Sequence, residues 1–379
     1  MSLRTRRGVK GILVSLLVVA AIFLFHSCHV ARYVFWNYAD VGDAVKFPSV
    51  PVKNDPAHPS PIPSVPSRNL DVPRGFNDTA SPLPFREFLE KNYTLSFLVV
   101  RNDTLIYSYY RTGYDSASLL PSFSVAKSFV SALTGIALAE GYLKNVRQTV
   151  TDLLPEIRDP GFRKVTIQDL LTMRSGIRFN EGYTDPFSEM AKFYYGLNLR
   201  KYTLKLKTRI PPDSLYEYQS GNAELLGMIL ERVTGRSLAA YLEEKIWIPM
   251  GMEGEATWNT DSKKHMEIKS FCCINARAVD FAKFGMLYLH QGYWNGMPVV
   301  PEKWVKESLM IRNDSRDSQG YPYGYMWRTL EDGSFFAKGI LGQYIFVDPA
   351  RRLVIVHCGM KAGNVNWVEF FRSLARQFS

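Results

Sequence analysis

Histidine and cysteine are scarce in this 379-residue chain, at six and four. The histidines (26, 29, 58, 265, 290 and 357) fall in no His-x-x-x-His or His-Glu-x-x-His pattern, and the cysteines in no Cys-x-x-Cys. Metal catalysis is therefore not expected, and no motif calls for a cofactor. Cys28 lies in an N-terminal targeting region, which leaves Cys272, Cys273 and Cys358, an odd set that cannot all pair. The adjacent Cys272 and Cys273 read as small buried residues rather than redox partners, and His357, in a strand-like run, as a core residue. Outside a short basic stretch at the N-terminus, charge of one sign is nowhere concentrated. The net +10 is spread along the chain rather than gathered into a basic block with interleaved aromatics, which argues against nucleic acid. A basic surface beside an anionic membrane or cell-wall polymer accounts for it more simply. Internal repeats are absent.

Long apolar runs are also lacking, with one exception. Residues 11–25 are apolar almost throughout and follow Arg4, Arg6, Arg7 and Lys10. Continued to Tyr33 and Trp36, the run is long enough to cross a bilayer with an aromatic anchor at the far interface. The basic flank would stay cytoplasmic, leaving the rest of the chain periplasmic or extracellular. No small-x-small cleavage site follows, so residues 1–36 read as an uncleaved membrane anchor. Phe25-His26-Ser27-Cys28 loosely resembles a bacterial lipoprotein processing site, which keeps lipidation of Cys28 as an alternative. Residues 37–80 carry prolines at 48, 51, 56, 59, 61, 63, 66 and 73 and read as an extended, semi-rigid linker. The folded domain is expected over 81–379.

Within that domain, 82–91 reads as a helix, and 94–100 with 104–110 as a hairpin turning at Asn102-Asp103. The middle is mainly helical, with Thr166 and Ser237 as caps and Gly141 and Gly235 as stops. The tail returns to strands at 323–329, 334–339, 342–347 and 353–358 before a closing helix at 367–378. Strands at both ends with helices between imply an α+β fold. One antiparallel sheet is flanked by terminal helices, and a mainly helical insert forms a second lobe.

The chemistry begins at Ser124-Val125-Ala126-Lys127, at the mouth of an apolar helix. Positions i and i+3 share a helix face, so the hydroxyl and the amine point into the same space. That is what a lysine base needs to take a proton from a serine nucleophile. Alone, Ser-x-x-Lys is a weak signal. Two later segments accompany it: Tyr216-Glu217-Tyr218-Gln219-Ser220-Gly221-Asn222 ahead of Leu225-Leu226-Gly227, and Ala337-Lys338-Gly339 on a strand.

In this order and spacing the chain resembles the serine β-lactamase and penicillin-recognising hydrolases. The nearest branch is the class C-like one, with its esterases and 6-aminohexanoate-dimer-hydrolase-like amidases. Segments 170–176, 247–252 and 275–285 extend the likeness. The resemblance implies a β-lactamase/transpeptidase-like fold and an acyl-enzyme on Ser124. It implies Lys127 as base, Tyr218 (with Tyr216 as rival) as proton relay, and the backbone amides of Ser124 and Ile340 as oxyanion donors. Lys338, Gly339, Ser220 and Tyr183, the last in the loop 180–186, would contact substrate. Two departures bear on specificity. Ser220 stands where the family often has Asn, with Asn222 as a possible substitute, and Ala337-Lys338-Gly339 replaces Lys-Thr-Gly. The second departure points away from β-lactams and toward a small ester, amide or peptide-like substrate. A D-Ala-D-Ala carboxypeptidase, a true β-lactamase and a non-catalytic binding or sensor protein are the alternatives.

Overall fold

The computed structural model describes residues 29–77 and 81–378, together with Ser15 and Val18. The basic flank, most of the apolar run and Cys28 lie outside the described residues. The strands are β1 (Ser49–Val52), β2 (Thr94–Arg101), β3 (Thr104–Tyr110), β4 (Leu120–Pro121), β5 (Ala256–Asn259), β6 (Ile274–Ala276), β7 (Tyr293–Trp294), β8 (Met297–Pro298), β9 (Arg328–Thr329), β10 (Phe335–Gly339), β11 (Gln343–Asp348) and β12 (Leu353–Gly359). A six-stranded antiparallel sheet runs β3-β2-β12-β11-β10-β9, so the N-terminal hairpin and the C-terminal strands share one sheet. This is the mixed α+β arrangement around one antiparallel sheet that the sequence implied.

Side-chain alternation along β12 shows how the sheet is filled on both sides. Leu353, Ile355 and His357 pack with Phe85, Phe88, Phe370 and Phe371 of the two terminal helices (Phe85–Lys91 and Trp367–Ala375). Val354, Val356 and Cys358 face the larger core on the other side. There the helix Ala278–Leu289 lies so close that a Cβ at Gly285 would sit 2.7 Å from Val354 Cγ1. His357 is a core residue held at both ring nitrogens, by Thr94 Oγ1 at 2.9 Å and the Gly342 carbonyl at 2.5 Å. Burial drives its pKa down to about 3.

A second sheet, β1-β5-β6-β4, was not foreseen, because its strands run to only two to four residues. It overturns the idea of a free-standing spacer. β1 lies inside the proline-rich stretch and pairs with β5, from Ser49 opposite Asn259 to Val52 opposite Ala256. Pro51 is tolerated because β1 is the sheet's edge. Farther on, Leu105 N–H donates to the Pro63 carbonyl, and Val65 and Arg68 N–H donate to Leu105 and Ile106, so the stretch covers the outer edge of β3.

Residues 29–36, expected to complete a membrane crossing, form a helix (His29–Trp36) with Arg32 and Tyr33 buried. Tyr33 packs edge-on to Tyr195, and Trp36 edge-on to Phe47. Among the described residues no helix is long and apolar enough to cross a membrane. Cys272 and Cys273, expected as unpaired thiols, are joined in a disulfide, while Cys358 is free and buried.

Phe47 makes the test of this packing simple. It is 4% exposed, and the Lys269 ammonium sits 3.2 Å from its ring centre. Phe47→Ala is expected to destabilise the protein by about 3–5 kcal/mol, read from urea denaturation. An unchanged midpoint would restore the spacer.

Candidate active site

Ser124 sits in a 3-10 turn (Phe123–Val125) that leads directly into the buried helix Ala126–Ala139. Lys127, on the first turn of that helix, is 1% exposed. Its Nζ donates to Ser124 Oγ at 3.0 Å, to Ser220 Oγ at 3.2 Å and to the Phe271 carbonyl at 2.8 Å. The spacing of the tetrapeptide thus delivers the expected pair. Tyr218 supplies the third group: its ring centre lies 5.0 Å from Lys127 Nζ. Tyr216, the rival, lines the same cavity with its hydroxyl buried and unpartnered among the described residues.

The helix following Tyr218 begins at Ser220 (Ser220–Thr234). This puts Ser220 behind Lys127 rather than on the cavity wall. Its Oγ accepts from Lys127 and donates to Glu181 Oε1 at 2.6 Å, and its N–H donates to Glu181 Oε2 at 2.6 Å. Ser220 is therefore a link in the Lys127 network and is not among the residues that line the cavity. Asn222 is fully buried and turned to Ser175 and Met173, which removes it as a substitute.

Glu181 is the residue that sequence reasoning missed. It also accepts from the Tyr183 hydroxyl at 2.8 Å, so one carboxylate gathers three donors. Burial lifts its carboxyl above the ordinary glutamate range, against the opposing pull of Lys127 and of the Ser220 hydrogen bonds. Thirty-nine residues separate it from Ser220, and no local pattern announces such a contact.

Across the cavity, the end of β10 brings Lys338 and Gly339 against the Ser124 turn, and Ile340 follows as the first residue of a 3-10 turn (Ile340–Gly342). A Cβ on Gly339 would stand 2.6 Å from the Ser122 carbonyl oxygen, so only glycine lets the strand pass this close. Lys338 Nζ donates to Gln319 Oε1 at 2.5 Å. Burial, then the like charge of Arg328, push its pKa below the usual lysine range. Arg328 was also missed. It is buried against Asp317 at 2.6 Å, with its guanidinium 5.3 Å from the Tyr218 ring centre. Ser124, Tyr183, Tyr218, Arg328, Lys338 and Ile340 line one cavity of about 640 Å³. A hydroxyl, an amine, a phenol and a strand edge thus meet in one space, the components of acyl transfer through a serine.

Comparison with known proteins speaks to the family and the fold. The beta-lactamase family model matches residues 85–358. A curated relative, the 6-aminohexanoate-dimer hydrolase of Paenarthrobacter ureafaciens, is 28% identical over 85% of this chain and 84% of its own. Among solved structures, one described as "Putative 6-aminohexanoate-dimer hydrolase from Bacillus anthracis" superposes with TM-score 0.80 at 26% identity, covering 91% of this chain and 94% of that one. A penicillin-binding protein of Bacillus halodurans shares the fold at TM-score 0.62 and 17% identity, over 76% of this chain and 98% of that one.

Glu181 gives a pH signature. Above its raised pKa the carboxylate holds all three donors; as pH falls through that value it takes a proton and loses acceptor capacity. The acid limb of any reaction at Ser124 should therefore lie above the pKa of a free glutamate, 4.5. Glu181→Gln is expected to shift that limb and to lower kcat/KM roughly ten- to hundredfold, the worth of a hydrogen bond to a charged group. A pH–rate profile identical to wild type would exclude the role.

Proposed function

Because the chain belongs to the beta-lactamase family of serine hydrolases, we propose that it cleaves a small ester or amide through an acyl-enzyme on Ser124. The observation that carries this reading is the buried Lys127 amine, 3.0 Å from the Ser124 hydroxyl. Lys127 takes the hydroxyl proton as Oγ attacks the substrate carbonyl carbon. The oxyanion collects between the backbone N–H groups of Ser124 and Ile340, each worth about 3–4 kcal/mol in such sites. Tyr218, over Lys127, relays the proton to the departing oxygen or nitrogen. Water then attacks the acyl-enzyme with the same groups reversing their roles.

Two features support an ester or amide over a β-lactam or D-Ala-D-Ala substrate. Ala337-Lys338-Gly339 lacks the hydroxyl of Lys-Thr-Gly, and Lys338 is already engaged with Gln319. The curated relative is itself named for a small dimeric substrate.

The proposal includes tethering by residues 11–25, with the catalytic domain outside the cytoplasm. The basic flank Arg4, Arg6, Arg7 and Lys10 supports that orientation. The Cys272–Cys273 disulfide suits an oxidising compartment.

A fluorophosphonate probe tests the chemistry: it should label the wild type and spare Ser124→Ala. Lys127→Ala should slow p-nitrophenyl acetate hydrolysis by about a hundred- to ten-thousandfold. Equal labelling of Ser124→Ala and wild type would move the nucleophile elsewhere. For the tether, the full chain should stay with membranes through alkaline carbonate extraction, and its release would remove the anchor.

A further inference from the structure

A second cavity, of about 400 Å³, opens from the first along the strand edge, since Tyr183, Gln319, Lys338, Gly339 and Ile340 line both. Part of its wall comes from outside the family-matched region 85–358. Tyr33, Tyr38 and Ala39 enter from the N-terminal segment, and Ala362, Val365 and Trp367 from the C-terminal end.

The wall is more apolar than its tyrosines suggest, because four phenol hydroxyls are committed to protein partners. Tyr33 donates to the Tyr183 carbonyl at 3.2 Å, Tyr183 to Glu181 at 2.8 Å, Tyr194 to Asp43 at 2.7 Å and Tyr195 to the Asn37 carbonyl at 2.7 Å. What remains for an occupant is chiefly ring and aliphatic carbon. No carboxylate lines the cavity among the described residues, and its one charged group, Lys338, sits at the junction with the reaction site.

We propose that this chamber holds an uncharged apolar arm, aliphatic or aromatic, of the substrate cleaved at Ser124, with the N-terminal segment as a specificity-determining wall. The inference rests on the hydrolase reading above and names the substrate class within it. A substrate arm ending in an ammonium group would enter a space with no counter-ion, where an unpaired charge is costly.

The test uses the full chain and two ester series, p-nitrophenyl alkanoates from acetate to octanoate and alkyl acetates from ethyl to octyl. One series shows which arm occupies the chamber. In it, kcat/KM should rise about threefold to fourfold per methylene until the chamber is full. Ala39→Trp and Ala362→Trp, which fill the chamber, should flatten that rise and leave hydrolysis of ethyl acetate, which has no long or aromatic arm on either side, within about twofold of wild type. Two flat series in the wild type, or a slope that both tryptophans leave untouched, overturn the chamber while Ser124 keeps its role.

If neither acetate hydrolysis nor fluorophosphonate labelling is found, the hydrolase reading fails, and calorimetry with hexanamide then judges the chamber by itself. Binding that Ala39→Trp weakens, and at least tenfold weaker binding of 6-aminohexanamide, support it. No binding of hexanamide, or equal binding of the two amides, overturns it.

Discussion

The site depends on how one buried nitrogen is satisfied. Lys127 is closed off from water, and its partners are two hydroxyls and a carbonyl. A polar group so enclosed requires each of its hydrogen bonds, since none can be replaced by solvent. The partners come from three separate places: the turn at Ser124, the first residue of the helix Ser220–Thr234, and the connection that precedes β6. Their joint placement fixes the amine against Ser124. The network then continues outward. Ser220 hands on to Glu181, Glu181 holds the Tyr183 hydroxyl, and the Tyr183 carbonyl accepts from Tyr33 of the N-terminal helix. A path of hydrogen bonds thus joins the reacting pair to a segment about ninety residues earlier in the chain.

What the sequence made legible follows from the range of each interaction. The Ser124–Lys127 pair is fixed by helix geometry over a single turn, so its spacing is enough to find it. The large sheet was legible because β2, β3, β11 and β12 are runs of β-branched and aromatic residues with turns between them. Glu181, Arg328 and Asp317 carry no such signature. Each is one polar residue in a loop or at the end of a short strand, and its meaning arises only when the fold brings distant segments together. The small sheet escaped for a related reason: strands of two to four residues lack the length for a period to be read.

The proline-rich stretch misled in an instructive way. Prolines exclude a helix and a central strand, and both exclusions hold. They do not exclude an edge strand, and they say nothing of whether an extended chain stands in solvent or lies on a domain. Here it lies on one. β1 borrows its ladder from β5, and the segment after it shields the outer edge of β3, an edge that would otherwise be open to pairing with another chain. The apolar residues Phe47, Val52, Ile62 and Leu70, spaced among the prolines and buried, were the available clue. An unattached spacer has no use for them.

The departures in the second and third motifs acquire a physical meaning when read against the two cavities. A Lys-Thr-Gly strand grips a substrate carboxylate with a free ammonium and a hydroxyl. In this chain the hydroxyl is gone, the ammonium is tied to Gln319, and burial together with Arg328 weakens its hold on a proton. Arg328 is spent on Asp317, and Arg316, which lines the same cavity, on the Gly320 carbonyl, Asn313 and Glu331. Charge is therefore a poor source of binding energy at this site. Apolar area is the alternative, at about 25 cal/mol per Å² removed from water. The neighbouring chamber offers that area where the strand edge turns from Lys338 to Ile340, beside the oxyanion position. Recognition by shape and burial, in place of recognition by a carboxylate anchor, is the consequence that these substitutions share.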